Sequence, residues 1–364
     1  MKKLSLKLVI LITTAIFCTT ALSQEDDTGF SIKGNLEFNT DYDTTSDDTT
    51  TGSDNTIFDQ NGRIKITPNG KTRTGNFFFE AQADIMANLD ATVSLDDVWG
   101  KIGTDTFDIQ IGRFEGIALF DKPEDTKIVD APNAPKRYEA DAVRGRLDKP
   151  GQLAIHIIPN DMINVELGAA YGTLGTEVDE TLEDDAAAKA THPENLIGLR
   201  PVVLFTLGPI EAAMGMDYQS TSAQDDDAEY DSNLLGFGGR VKATFGPASF
   251  SIEYASKTEG GTDFSGQDLD DVTTNSMGGV CLVTLGPGTL GGGVFYTTSE
   301  VDGSDNTQTH TQYYVSYGHP LLVDNVTIKY ALGGAIADDD LDSDEEGNLD
   351  SSTLGFRVRL VYDF

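Results

Sequence analysis

Cysteine is nearly absent from this sequence, which has only Cys18 and Cys281 among its 364 residues. Cys18 lies in an apolar N-terminal segment, which leaves Cys281 as the single thiol of the remaining chain. One cysteine cannot form an internal disulfide bond, so a disulfide-stabilised secreted scaffold is excluded. Another kind of interaction must hold the fold together.

Basic residues are also scarce, since 25 lysines and arginines face 60 aspartates and glutamates. The formal net charge is −35 at pH 7. A protein that binds nucleic acid needs a basic face to neutralise phosphates. This composition therefore argues against nucleic acid as a partner.

Long apolar runs are missing beyond the N-terminus, where none approaches the roughly 18 residues that a membrane-spanning helix needs. The N-terminal segment itself has three lysines, then an apolar run from Leu8 to Phe17, then small residues at Ala21 and Ser23. This order is typical of a cleaved secretory signal. We predict a signal peptide over residues 1–23.

The alternative, a lipoprotein anchor at Cys18, is disfavoured because the bulky Phe17 precedes that cysteine. Cleavage after residue 23 removes three lysines and makes the mature chain still more acidic. The composition does not change along residues 24–364, and no linker interrupts them. We therefore predict one domain over this range, although its length would allow more than one.

One turn sequence occurs three times in the second half of the chain. The copies read TLGPIEAAMGMDY from Thr206, TFGPASFSIEY from Thr244 and TLGPGTLGGGVFY from Thr284. After each Gly-Pro pair, apolar residues return at every second position, as in strands with one apolar and one polar face. Glycine and proline supply tight turns, so each copy predicts a hairpin corner.

The same alternation predicts sixteen strands. They lie near 28–42, 57–67, 75–86, 95–103, 106–113, 150–158, 163–171, 196–207, 210–219, 233–245, 249–257, 274–285, 289–298, 308–317, 326–334 and 351–364. Short turns, namely PNGK (68–71), GTDT (103–106), PND (159–161) and the Gly-Pro corners, alternate with long acidic loops. An even strand count with short and long connections at opposite ends predicts an all-β, antiparallel, up-and-down transmembrane barrel.

A soluble β-sandwich would show the same alternation, but two features disfavour it. Aromatic residues recur near the strand ends, as in the interfacial girdles of membrane barrels; they are Tyr171, Tyr218, Tyr254, Tyr296, Phe205, Phe245, Tyr317 and Tyr362. Charged residues occupy the polar positions of most strands, and a sandwich core could not bury them unpaired. A water-filled lumen accepts them.

Three segments resemble the Gram-negative general porins: the terminal Tyr362-Asp363-Phe364, the stretch DIQIGRFEG before a long loop, and YEADAVRGRLDKPGQLAIHI after it. The resemblance implies a homotrimer of sixteen-stranded barrels in the outer membrane, with the third loop folded into the lumen. It implies no cofactor and no covalent chemistry. Phe364 matches the signal that the barrel-assembly machinery reads. The RFEG segment is also similar to carbohydrate porins, which leaves a substrate-selective pore as an alternative.

The segment from Phe114 to about Lys149 has no sustained strand pattern and is too long for an idle connection. If it folds inward, as the resemblance implies, its carboxylates narrow the pore: Glu115, Asp121, Glu124, Asp125 and Asp130. Basic residues predicted on the pore wall or beside the loop are Lys33, Arg63, Lys65, Arg113, Arg144, Arg146, Arg357 and Arg359. Opposed charges would favour small polar solutes. On the fourth strand only Lys101 is basic, a departure from the family pattern.

The remaining loops are runs of carboxylates at 41–54, 177–185, 225–231 and 338–350. Acidic groups at a pore mouth concentrate cations. We therefore predict a channel for small hydrophilic solutes and ions that is mildly cation-selective. Divalent ions that bridge this mouth to lipopolysaccharide in the outer-membrane lipid are a further expectation. Asp340, Asp342 and Asp344 resemble a calcium loop, but Gly347 is displaced from the position that the motif requires.

Two other classes of function fit parts of the sequence. A hydrolase would need a nucleophile beside a base, and the chain has His156, His192, His310 and His319 without a G-x-S-x-G motif nearby. Histidines of the wall and loops explain them more simply, so we predict no enzyme. An adhesive barrel with incidental conduction fits the acidic loops as well as a pore does. Permeation of sugars of graded size separates these readings.

Overall fold

The structure, a computed structural model, describes residues 28–47, 54–121, 127–146, 151–174, 194–225, 228–262, 267–304, 307–323, 325–339 and 351–364. Several predictions fall on residues outside these ranges. They are the signal peptide 1–23, loop residues Glu124 and Asp125, the acidic run 177–185, His192, and the calcium-like sequence from Asp340 to Gly347. Within the described residues, no helix is long and apolar enough to cross a membrane.

Sixteen strands make up the fold, each antiparallel to its neighbours. They are β1 (Gly29–Asp47), β2 (Asn55–Thr74), β3 (Phe77–Asn88), β4 (Val93–Thr104), β5 (Phe107–Arg113), β6 (Gly151–Asn160), β7 (Ile163–Leu174), β8 (Glu194–Leu207), β9 (Ile210–Asp225), β10 (Ala228–Phe245), β11 (Ala248–Thr262), β12 (Asp268–Leu285), β13 (Gly288–Val301), β14 (Thr307–Pro320), β15 (Val326–Asp339) and β16 (Ser351–Asp363).

Every strand pairs with its sequence neighbours, and β1 pairs with β16 to close the sheet into a barrel. At this seam Tyr42 lies opposite Phe356 and Asp41 lies opposite Arg357. Closure leaves no free sheet edge, which a β-structure in lipid requires because the hydrocarbon offers no hydrogen-bond partners. The predicted all-β, sixteen-stranded up-and-down barrel is confirmed.

Tight turns join the strands at one end of the barrel, here called the turn end. The three Gly-Pro corners form two-residue turns in which Gly208, Gly246 and Gly286 have φ of 61°, 56° and 60°. Positive φ at this position suits glycine and matches the twist of the two strands. The opposite end, with the long connections, is the loop end.

The turn predicted at PNGK (68–71) is wrong. Strand β2 continues through these residues to Thr74, and the turn falls at Gly75 and Asn76, where Gly75 has φ of 59°. Pro68 lacks an N–H group, but it lies opposite Ile32 of β1, and the pairing with β3 resumes at Asn69. A proline can interrupt one ladder without ending the strand.

Several strands extend further toward the loop end than the alternation predicts. Strand β9 runs to Asp225 instead of residue 219, and β15 runs to Asp339 instead of residue 334. In β15 the added inward residues Ala335 and Ala337 are small and buried under loop three, whereas the residues added to β9 are mostly polar. Period-two alternation fades where both faces meet water, so the sequence pattern underestimates strand length there.

The two faces of each strand differ as the sequence predicts. On β11, the outward Ile252 is 74% exposed, whereas the inward Glu253 is 1% exposed. The outward positions carry large apolar side chains and the aromatic residues Tyr171, Tyr218, Tyr254 and Tyr296. An apolar outer surface with a charged interior is the arrangement of a transmembrane barrel.

Candidate functional site

Loop three, defined as residues 114–150 between β5 and β6, forms a closed neck where it leaves the wall. Glu115 and Gly145 form a bridge across the neck, and the Gly116 N–H donates to the Arg144 carbonyl at 2.9 Å. The Gln152 amide of β6 donates to the Phe114 carbonyl at 2.8 Å. These bonds hold the two limbs of the loop together before they enter the barrel.

The first limb of loop three packs its apolar side chains against the inner wall. Leu119 and Phe120 are 0% and 1% exposed. They join a buried cluster with inward residues of strands from β8 to β14, and this cluster also contains loop residues Tyr138 and Ala140. The wall members are Val202, Ala213, Leu234, Ala255, Val280, Phe295 and Tyr314. The main apolar core of the molecule therefore lies between the loop and the wall.

Inward-facing glycines make room for the loop. A methyl group added to Gly238 would lie 2.8 Å from the Ala140 Cβ atom, and one added to Gly355 would lie 2.7 Å from Val129. Comparable overlaps arise at Gly198 with Val143, at Gly236 with Tyr138, and at Gly333 with the Lys127 carbonyl. These glycines form a trough that runs along the wall from β8 to β16, and loop three occupies it.

Arg200 of β8 is the largest fully buried side chain that anchors the loop, at 1% exposed. Its guanidinium donates to the Ala140 carbonyl and to the Ile117 carbonyl, both at 2.8 Å, so it ties the two limbs together. Glu166 of β7 lies 3.4 Å from Arg200 and accepts the Ile117 N–H at 3.0 Å. A buried charge pair with its remaining hydrogen bonds satisfied fixes one geometry.

Two inward-facing histidines, His156 and His310, also make polar contacts along the wall, and the first of them contacts Glu166. Glu166 lies 3.3 Å from His156 Nε2, and His156 Nδ1 lies 2.6 Å from Asp108 on β5. On β14, His310 Nδ1 contacts the Pro135 carbonyl at 3.1 Å, and His310 Nε2 receives the Ala131 N–H at 3.4 Å. Both nitrogens of each ring thus have partners in the wall or in the loop.

Asp121 provides a second anchor, on β10 and β11. Its carboxylate lies 2.8 Å from Lys242 and 3.4 Å from Arg240, and its N–H donates to Glu253 at 2.7 Å. This predicted constriction residue therefore binds the wall beside the loop. Lys242 and Arg240 balance its negative charge.

The second limb begins with Lys127, which reaches the seam of the barrel. Its ammonium lies 2.8 Å from Asp43 and 3.7 Å from Asp41, both on β1. Asp130 accepts a hydrogen bond from Gln312 of β14 at 2.7 Å, and Ser351 of β16 donates to the Pro132 carbonyl at 2.6 Å. The loop thus contacts inward groups from β7 round to β1.

Tyr138 occupies the middle of the second limb. Its N–H donates to Ser276 at 2.9 Å, its hydroxyl contacts Asp217 at 3.4 Å, and the Lys257 ammonium lies 5.5 Å from its ring centre. Burial, together with the negative charge of Asp217, raises the pKa of the Tyr138 phenol above its usual value. The phenol therefore stays protonated at physiological pH.

The wall formed by β16 and β1–β3 borders an open space, a chamber of about 660 Å³. Its lining comprises Glu37, Asn39, Asp59, Gln60, Asn61, Gly62, Arg63, Asn88, Leu89, Asp90, Arg357 and Arg359. Arg357 holds Asp41 through two 2.7 Å bonds, and Arg359 donates to Asn39 at 2.7 Å. Polar and charged groups line this chamber, as a water-filled passage requires.

Most of the other predicted basic residues also have acidic or carbonyl partners nearby. Arg63 lies 3.3 Å from Glu37, and Lys65 lies 2.6 Å from Asp84. Arg113 donates to the Asp96 carbonyl at 2.7 Å, and Arg144 lies 3.2 Å from Glu115. Lys33 projects inward near the turn end and is exposed.

Arg146 joins the loop neck to β4. It contacts Asp97 at 2.7 Å and Glu115 at 3.4 Å. Burial lowers the pKa of Arg146, but the hydrogen bond to Asp97 and the nearby negative charges outweigh that effect and raise it overall. The neck of the loop is therefore stabilised by three arginines: Arg113, Arg144 and Arg146.

The Arg357–Asp41 pair allows a direct test of charge balance on the chamber wall. We expect Arg357→Gln to raise cation selectivity by about 1.5-fold, because it leaves the Asp41 carboxylate with only Lys127 nearby. Reversal potentials in a salt gradient measure this. The double variant Arg357→Gln/Asp41→Asn should return to the original selectivity, and a double variant as selective as the single one would contradict the expected balance.

Sequence reasoning missed several residues that fix the loop: Arg200, Glu166, Glu253, Lys127 and the inward glycines. A signal existed for some of them, since Arg200 interrupts an otherwise apolar strand and Gly236 and Gly238 occupy successive inward positions. Lys127 gave no signal, because it lies in an irregular segment and its partners are distant in sequence.

The terminal Phe364 closes the turn end of the seam. Its N–H and carbonyl exchange hydrogen bonds with Gly34 at 3.0 and 2.9 Å, and its ring lies 5.9 Å from that of Tyr362. The ring is exposed on the outside of the barrel. Recognition of Phe364 by the assembly machinery stays a prediction.

Within the described part of the chain, no cluster of three or more histidine, cysteine, aspartate or glutamate side chains is arranged to hold a metal ion. A closed sixteen-stranded barrel with a long loop packed against its inner wall is a porin-like fold. The comparisons with known proteins agree with this fold.

No known protein family and no curated protein matches the sequence. Among solved structures, OmpT, an outer membrane protein of Vibrio cholerae, matches with a TM-score of 0.63 at 12% identity, over 94% of this chain and 100% of its own. An anion-selective porin from Comamonas acidovorans matches with a TM-score of 0.61 at 14% identity, over 93% and 100%. A porin refined at 1.8 Å matches with 0.53 at 17% identity, over 92% and 100%.

At these identities the matches establish the fold alone. The resemblance to porins drawn from the sequence is confirmed at that level. This chain has the porin-like fold of outer-membrane barrels.

Proposed function

We propose that this protein is an outer-membrane porin, a water-filled channel for the passive diffusion of small hydrophilic solutes and ions. One observation carries the proposal: loop three packs along the wall from β7 to β16 and leaves a chamber lined by polar and charged groups beside β1–β3 and β16. A barrel closed to solutes would not need a polar and charged wall beside these strands. The loop narrows the barrel and sets the size limit.

The proposed selectivity is mild and favours cations. The net charge of −35 and the exposed carboxylates at the loop end support this sign, since they attract cations and repel anions within a Debye length of about 8 Å. The Comamonas acidovorans porin is described as anion-selective. We infer the opposite preference for this chain from its own charge.

The proposal includes a homotrimer exported by the cleaved 1–23 segment. OmpT of Vibrio cholerae has a trimer form, which supports a similar assembly. Contacts with lipopolysaccharide and with the barrel-assembly machinery belong to the same proposal. The reaction class is transport without covalent chemistry.

Liposome swelling and planar-bilayer recording of the refolded mature chain test the function. We expect swelling rates that fall steeply with sugar size, conductance steps in groups of three, and a reversal potential of the sign given by cation preference. Permeation that saturates with one sugar and is blocked by it would favour the carbohydrate-selective alternative. A folded barrel without size-dependent permeation would overturn the porin proposal and favour an adhesive or structural role.

A further inference from the structure

Charges on the inner wall are balanced from the level of the chamber down toward the turn end. Each pair joins an acid and a base on nearby strands or between the wall and loop three. The pairs are Arg63 with Glu37 at 3.3 Å, Lys65 with Asp84 at 2.6 Å, Lys101 with Asp108 at 4.0 Å, Lys242 with Asp121 at 2.8 Å, and Arg240 with Glu211. Adjacent opposite charges cancel at distances beyond their separation, so this segment has little net field.

The loop end is different, because its charge is one-sided. Exposed carboxylates there include Asp54, Asp90, Asp268, Asp270, Asp271, Glu300, Asp302 and Asp338. Lys257, the base nearest to them on β11, is paired with Glu259.

Asp90 is held in its ionised form by the turn that contains it. In the hairpin turn between β3 and β4, the hydroxyl and the N–H of Thr92 donate to Asp90 at 2.6 and 2.9 Å. Both bonds lower the pKa of Asp90 below its usual value, and the bond from the hydroxyl has the larger effect. Asp90 therefore stays ionised at physiological pH.

A pore with fixed negative charge at one mouth and balanced charge beyond it does not conduct equally in both directions. When voltage drives cations inward from the charged mouth, anions move the opposite way and are held back at that mouth. Salt accumulates in the balanced segment, and the conductance rises. When the voltage is reversed, both ions leave that segment faster than they are replaced, and the conductance falls.

We propose that this channel rectifies, passing more current when cations move from the loop end toward the turn end. The inference rests on the proposed porin function and adds a direction to it. The effect should depend strongly on salt, because the Debye length is about 10 Å at 0.1 M and about 3 Å at 1 M. At the lower salt concentration the field of the mouth charge reaches further into the lumen, so the effect is largest there.

Single-channel recording of the full mature chain at equal positive and negative voltages tests this. Orientation is set with a Cys281→Ser/Asp302→Cys variant, in which a thiol reagent coupled to a polymer too large to pass the pore reacts only from the side of the loop end. We expect a current ratio of about 1.5 to 2 in 0.1 M KCl and about 1 in 1 M KCl. The larger current should flow when the side of the loop end is positive.

Matched variants identify the charges responsible. The triple variant Asp268→Asn/Asp270→Asn/Asp271→Asn removes loop-end charge from exposed positions of β12 and should bring the ratio at low salt about halfway to 1. Asp161→Asn, at the exposed turn between β6 and β7, should leave the ratio unchanged or raise it slightly. Heat-modifiable mobility on gels confirms that each variant is a folded barrel.

The outcomes separate this inference from the porin proposal. An open channel with equal currents at low salt overturns rectification and leaves the porin function intact. A larger current of the opposite sign, or a ratio that the triple variant does not change, also overturns it. Folded barrels without any conductance would overturn the porin function and rectification together.

Discussion

Replacement of Gly238 by leucine is expected to lower the single-channel conductance about twofold, because the loop no longer fits its trough and is displaced from β10 toward the open chamber, which narrows the passage. Even a single methyl group at this position would lie 2.8 Å from the Ala140 Cβ atom and 3.2 Å from the Ala255 Cβ atom. Ala140 is fully buried, so the limb that carries it has to move away from β10. Recording in planar bilayers measures the change.

The matched control is Gly279→Leu on β12, two strands away. Gly279 faces outward, and its nearest neighbour for an added methyl group is the Ser251 carbonyl at 3.8 Å. This variant should form a barrel with unchanged conductance. If Gly238→Leu folds and conducts like the original protein, loop three does not set the narrowest point of the pore.

The second large effect is expected for Arg200→Met. It removes the donor to two loop carbonyls and leaves Glu166 buried without its cation, at a cost of about 3–5 kcal/mol in the free energy of unfolding. Urea unfolding in lipid vesicles, followed by Trp99 fluorescence, reports the stability. Because the loop loses a fastener of both limbs, the open-channel current should also become noisier.

Two further variants serve as controls for the Arg200→Met prediction. Arg200→Met/Glu166→Gln removes the uncompensated charge and should recover part of the loss. Arg73→Met breaks a pair with the mostly exposed Asp105 at the turn end and should cost far less stability than Arg200→Met. If Arg200→Met unfolds no more easily than Arg73→Met, the buried anchor does not stabilise the barrel.

The strand order and the orientation of the strand faces could be predicted from the sequence because they depend on local pattern. Ile252 and Glu253 are neighbours in sequence and face opposite surroundings, which is what period-two alternation encodes. The Gly-Pro corners encode the turns directly. The error at Pro68 arose because a turn-forming sequence was outweighed by pairing with β1, a contact that local chemistry does not reveal.

The contacts of loop three could not be predicted in the same way. Lys127 meets Asp43 across 84 positions of the chain, and Tyr138 meets Ser276 across 138. No periodic signal links such residues. The sequence did indicate a loop too long to be idle, but it implied separated charges across the lumen, whereas the described wall bases Arg357, Lys65 and Arg63 have carboxylate partners close by.

The seam between β1 and β16 has a consequence for how the protein is assembled. Asp41 and Arg357 are separated by 316 positions, whereas every other ladder joins strands that follow one another in the chain. Hairpins can therefore accumulate one after another as the chain becomes available, but the seam can form only after all sixteen strands are present. Until then both outer strands offer unsatisfied backbone groups, which invite pairing with foreign chains. A truncated chain is therefore expected to form an open, aggregation-prone sheet instead of a smaller pore.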